Sequence, residues 1–154
     1  MSSLAALPIE MSAGVMRAGE SEGGVVWNIL GQTYRPLQHS EASFAFDTLF
    51  PPGTFVPPHV HATQDEFIRV LEGRFALWLN GVEATAEAGD LIRLPKGQAH
   101  GIFNRSDAPV RALFWVAPSR SLYALFARLH NLGDPAEVMR IAAEHEVDFL
   151  PPPP

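Results

Sequence analysis

The chain has 154 residues, 47% of them hydrophobic, which fits one domain with its own core better than two small ones. Its net charge of -6 comes from 17 acidic and 11 basic residues with no basic run, so nucleic acid is not an expected partner. The absence of cysteine excludes disulfides, thiolate metal sites and cysteine nucleophiles.

The opening "MSSLAALPIEMSAGVMRAGE" has no early cationic cluster and no long apolar stretch, so it does not read as a secretory signal. Residues 1–20 are expected to form a flexible arm or one that docks on a partner. Apolar runs along the chain are short and broken, well below the ~20 residues a spanning helix needs. No membrane partner is expected, and the cytoplasm is the expected location.

From residue 21 to 118 the pattern is that of strands. "VVWNIL" is the first strand-like run, and "ASFAFDTLF" follows with Phe44, Phe46, Thr48 and Phe50 on one face by period-two alternation. In "FALWLNGVEATAEAGD", Asn80-Gly81 supplies the two positive-φ positions of a type I′ hairpin turn. Glycines at 73, 81, 89 and 97 punctuate the region, and "VRALFWVA" is a further strand. Short strands at such intervals predict an all-β sandwich or barrel.

After Pro118 the period changes. "SRSLYALFARLHN" sets Leu122, Leu125, Phe126 and Leu129 at helical spacing, with Ser119 or Ser121 as N-cap. Asp134-Pro135 reads as an N-cap with proline at the first helical position, opening a second helix that carries Val138, Ile141 and Ala142 on one side. A helical segment over 119–150 and an extended proline tail over 151–154 complete the organisation.

Within the strand region, "PPHVHATQDEF" places His59 and His61 at i and i+2, so an extended backbone points both imidazoles to one face. A bend after Ala62 would return Glu66 beside them, although the spacing does not by itself decide which way Glu66 faces. His100 follows the turn-rich "LPKGQA". Three imidazoles and a carboxylate suit Fe, Mn, Co, Ni, Cu or Zn rather than Ca or Mg.

The stretch from Gly53 to Gly73 reads G-x5-H-x-H-x4-E-x6-G, and that from Gly89 to Asn104 reads G-x5-P-x-G-x2-H-x3-N. Together they resemble the two motifs of the cupin superfamily, and the C-terminal helices and "EHEVDFLPPP" are similar to small quercetin-dioxygenase-like members. The resemblance implies a double-stranded β-helix, a jelly-roll-like barrel, with two C-terminal α-helices behind it. It also implies one divalent transition metal ion held by His59, His61, Glu66 and His100.

The remaining histidines carry a structural expectation: His39 in a loop, and His130 and His145 near helix ends where a cation favours the dipole. If the inward parity of His100 persists, Ile102 faces the metal and Phe103 faces away, while Arg69 is out of phase with Glu66. Aromatics such as Trp78, Phe103, Phe114 and Trp115 are available to a cavity, although most should fill the core.

The resemblance leads to three functional expectations. The first is a dioxygenase acting with O2 on a small enolic or phenolic, flavonol-like substrate, with Glu66 as ligand or as the base that takes the substrate proton. The second is a metal-dependent isomerase or lyase, and the third is a non-catalytic small-molecule-binding cupin. The resemblance also implies a homodimer, with "VVWNIL" as a candidate contact.

Overall fold

A computed structural model of the chain describes residues 11–151. Residues 1–10 of the expected arm and 152–154 of the proline tail lie outside it. Residues 11–20 carry no helix or strand and are exposed.

The strand-rich region folds as β1 (Trp27–Ile29), β2 (Gln32–His39), β3 (Phe44–Phe50), β4 (Phe55–His61), β5 (Asp65–Glu72), β6 (Arg74–Leu79), β7 (Val82–Glu87), β8 (Leu91–Leu94), β9 (His100–Phe103) and β10 (Val110–Ala117). Helices α1 (Leu122–Leu129) and α2 (Pro135–Glu144) follow, and β11 (Val147–Phe149) closes the series. The strands pair antiparallel in two sheets, ordered β1-β2-β3-β10-β5-β8 and β11-β4-β9-β6-β7. This is the expected all-β architecture with two C-terminal helices.

Local chemistry accounts for much of it. Phe44, Phe46, Thr48 and Phe50 alternate inward along β3 and are buried, as their period requires. Asn80 and Gly81 adopt φ of 49° and 93°, and Leu79 pairs with Val82 across that two-residue turn. At Gly73, φ is +84° and an added Cβ would lie 2.7 Å from the Pro109 carbonyl oxygen, so any side chain there would force the β5–β6 turn away from the start of β10.

The core lies between the sheets and continues under the helices. Phe44, Phe50, Phe75, Ile68, Val70 and Val116 are inaccessible to solvent. At about 1.5–3 kcal/mol for each large apolar side chain fully buried, these residues dominate the gain from folding. Leu122, Leu125, Phe126 and Leu129 form the buried stripe of α1, and the Phe126 ring meets those of Phe46, Tyr34 and Trp27 at 5.0, 5.1 and 5.6 Å. The helices therefore seal one end of the barrel.

Three local expectations need correction. His39 is the last residue of β2 rather than a loop residue, stacked on Tyr123 at 4.7 Å; the strand continues past Pro36 through a register irregularity between Pro36 and Gln38. Ser121 occupies the N-cap position of α1 but makes no side-chain cap bond, and Ser119 donates its hydroxyl to the Glu41 carbonyl instead. Asp134 does cap α2, accepting from the Ala136 N–H. The third correction is β11, a strand where the sequence suggested only an ending.

Candidate metal centre

The two prolines of "PPHVH" set the first part of the site. Neither Pro57 nor Pro58 can donate to a ladder, and the pairing of β4 with β9 shifts register between Val56 and His59. The shift places His59 directly opposite His100. His61, two residues on, faces the same way, and Val147 and Phe149 of β11 pair with His61 and His59 on the other edge of β4. A bend over residues 62–64 then carries the chain into the opposite sheet, where β5 presents Glu66. Glu66 faces inward, and the site spans both sheets.

All four side chains are buried, and one nitrogen or oxygen from each lies within 4.8 Å of the others. The ring centres are 5.1 Å apart for His59 and His61, 4.4 Å for His59 and His100, and 5.6 Å for His61 and His100. Glu66 Oε2 is 2.8 Å from His61 Nε2 and 3.9 Å from His100 Nε2.

Hydrogen bonds select the tautomers. His59 Nδ1 lies 2.8 Å from the Pro57 carbonyl oxygen, which can only accept, so the proton sits on Nδ1 and Nε2 keeps its lone pair. His61 Nδ1 is 3.0 Å from Gln64 Oε1, while the Gln64 amide donates to the carbonyls of Pro118 at 3.1 Å and Ser119 at 2.7 Å. Those two donations orient the amide, so its oxygen must face His61. Gln64 thus positions a candidate ligand through the kind of outer partner that metal-bound histidines use. The motif spacing gave no sign of this role.

His100 is different. Both its nitrogens are buried without a hydrogen-bond partner. Such a group costs about 1–3 kcal/mol unless something else engages it. A cation among the four side chains would do so, and three imidazole nitrogens with one carboxylate form a suitable donor set for a borderline transition metal. The residues present therefore fit the ion that the motifs imply.

The electrostatics agree. Burial, together with the neighbouring His100 and His61 rings, holds His59 well below the ordinary imidazole range. Burial and His61 push His100 down to about 3. At His61 burial also opposes charge, but the Glu66 carboxylate and the bonds to Glu66 and Gln64 outweigh it and raise the pKa. Two of the three imidazoles are neutral near pH 7 and ready to donate a lone pair.

The cluster borders an apolar cavity lined by Phe46, Ile102, Phe114, Phe126, Val147 and Phe149 among others. The space open to the centre of a water molecule is about 60 Å³. Ile102 lines the cavity as its parity predicted, whereas Phe103 stacks on Phe55 at 5.6 Å and Trp115 on Phe67 at 5.3 Å, neither of them lining it. Arg69 is exposed and bonds the Gly89 carbonyl. Asn104 is structural, holding the Phe50 and Ala108 carbonyls. His130 accepts from the Asn28 N–H and His145 bonds Ser121 and Arg128, all outside the site.

Comparison with known proteins agrees with this architecture. The family described as "Cupin domain" matches residues 46–116, which contain all four clustered side chains. The tetracenomycin polyketide synthase protein TcmJ of Streptomyces glaucescens is 33% identical over 67 residues, 44% of this chain and 45% of that protein. The chain spans less than half of the length of the curated relatives it matches. Among solved structures, TT1209 from Thermus thermophilus is 28% identical with a TM-score of 0.55, covering 57% of this chain and 84% of that one. An RmlC-like cupin from Shewanella frigidimarina superposes with a TM-score of 0.63 at 21% identity, covering 73% of this chain and 96% of that one. With two antiparallel sheets around a buried His-His-Glu-His cluster, the barrel matches the cupin fold, and residues 46–116 are its cupin domain.

Proposed function

We propose that this protein is a metal-dependent dioxygenase acting on a small enolic or phenolic substrate, with His59, His61, Glu66 and His100 as the metal ligands. The observation that carries the proposal is the buried three-imidazole, one-carboxylate cluster at the wall of an apolar cavity. A divalent transition metal held there would supply Lewis acidity and open positions for an oxygenated substrate and O2.

The chain's own residues prepare the rest. Among the described residues Glu66 is the one carboxylate lining the cavity, and it is the base we assign to the enol or phenol proton. Its bond to His61 gives it a resting partner when it is not taking a proton. Phe46, Ile102, Phe114 and Phe126 exclude water from the reacting region. The cavity favours a one-ring enol, phenol or β-diketone over a three-ring flavonol, which would require α1 and α2 to give way.

Elemental analysis of protein purified without added metal, followed by O2-uptake measurements with catechols, β-diketones and flavonols, tests the proposal. Uptake above the metal-free control supports it. Product formed equally without O2 would favour a metal-dependent isomerase or lyase, and tight binding without turnover a ligand-binding cupin.

A homodimer completes the proposal. β1 from "VVWNIL" is an edge strand with exposed Val26 beside it, and a solution mass equal to one chain would remove that assembly.

A further inference from the structure

Outside the histidine–glutamate cluster, the cavity lining contains, among the described residues, one side chain with a polar atom, Tyr34. Its hydroxyl donates to Gln32 Oε1 at 3.0 Å. Gln32 is inaccessible to solvent, and its amide nitrogen donates to the carbonyl oxygens of Leu30 and Phe55, each at 3.2 Å. Turning that amide over would set its oxygen against two carbonyl oxygens, so the orientation is fixed and Oε1 must face Tyr34. The Tyr34 proton is therefore committed to Gln32. What the phenol can still offer is an oxygen lone pair. Glu66 is near enough that its charge adds to burial in opposing ionisation of Tyr34, so the phenol stays neutral beside the cluster.

We propose that Tyr34, locked by Gln32 as a hydrogen-bond acceptor, is a substrate-binding residue that selects molecules carrying an O–H or N–H donor on the side away from their metal-binding oxygens. The inference rests on the metal-centre reading above and deepens it from "small enol or phenol" to a chelating ring with a distal donor. Selection follows from chemistry: a ligand that presents an acceptor or an apolar group leaves the buried lone pair unmatched, whereas a donor engages it. Gln32 acts through Tyr34 as a positioning residue.

Three pyranones separate donation from size. Kojic acid and allomaltol chelate a divalent metal through the same adjacent oxygens, but opposite them kojic acid carries a hydroxymethyl group and allomaltol a methyl. Kojic acid methylated on its hydroxymethyl oxygen keeps the chelating pair and that oxygen but loses the donor. Calorimetric titration of the full chain loaded with Zn2+ should show kojic acid binding about fivefold tighter than allomaltol, the size of one net hydrogen bond, with the ether no better than allomaltol. Tyr34→Phe should remove the difference between kojic acid and allomaltol, with zinc content and melting temperature measured to show that the variant folds.

The wild-type comparison decides even if that variant does not fold. Zinc-dependent binding in which kojic acid and allomaltol are equal, or in which the ether matches kojic acid, overturns the Tyr34 assignment alone. A preference that survives Tyr34→Phe also overturns it. Allomaltol that binds zinc-loaded and zinc-free chains alike removes the metal-centre reading, and this inference with it.

Discussion

His61 and His100 face the same point from strands of one sheet, yet their surroundings are opposites. His61 is held at both ring nitrogens, by Gln64 on one side and Glu66 on the other. His100 is held at neither. The first motif thus builds a positioned ligand from its own short loop, whereas the second delivers a buried imidazole whose polar atoms are unmatched in the protein itself. The difference teaches where each ligand's order comes from: the fold orients His61 in advance, and a bound cation would complete His100.

Single-ligand variants test that contrast most severely. His61→Ala should abolish stoichiometric metal binding, read by elemental analysis, and should also destabilise the metal-free protein by about 3–5 kcal/mol because Glu66 is left buried without its partner. His100→Leu should abolish metal binding as well, but leave the metal-free protein no less stable than the wild type in denaturant titration. Equal losses of metal-free stability in the two variants would erase the distinction.

Gln64→Leu probes the positioning itself. It should weaken metal binding by about 10–100-fold while leaving all four ligands present, measured by competition with a chromophoric chelator. An unchanged affinity would mean that the Gln64 bond orients nothing the metal needs.

Acid gives a graded version of the same test. His59 and His100 have folded-state pKa values below the ordinary 6.5, so on acidification the unfolded chain takes up protons first and stability is lost. For His100 the loss runs from about pH 6.5 down to about 3. His61 works the other way: its raised pKa contributes stability that is present below 6.5 and lost as pH rises through its folded value. With two groups against one, the metal-free protein should become less stable as pH falls below 6.5. That slope should be shallower in His100→Leu.

The smallest effect lies outside the site. Asp134→Ala should cost about 1 kcal/mol by removing the α2 cap and leave metal affinity unchanged, confining the contrast to the barrel interior.

What could be read from the amino acids follows the range over which each signal acts. The Asn80-Gly81 turn, the alternation along β3 and the Asp134-Pro135 helix start depend on neighbours a few residues apart, and each stands where its local chemistry placed it. The convergence of His59 and His61 is equally local. The inward turn of Glu66 was not, because it depends on a bend that moves the chain between sheets. Gln64 gave no signal, since an amide two residues before a glutamate has no distinctive spacing. Tyr34 was obscured because its strand is interrupted by Pro36 and a register shift. β11 was invisible for a different reason: three residues are too few to establish a period, and its partner β4 lies on the far side of the whole barrel sequence.

That last strand bears on how the protein is made. During synthesis β4 can pair with β9 as soon as residues 100–103 have emerged, but its other edge stays open until residues 147–149 follow. Until then the strand bearing His59 and His61 offers unpaired main-chain groups to any neighbouring nascent chain, and Phe149 is not yet against the His59 ring. The centre is therefore among the last parts of the barrel to mature, and a chain truncated before Val147 would keep β1 to β10 with one edge of its histidine strand uncovered.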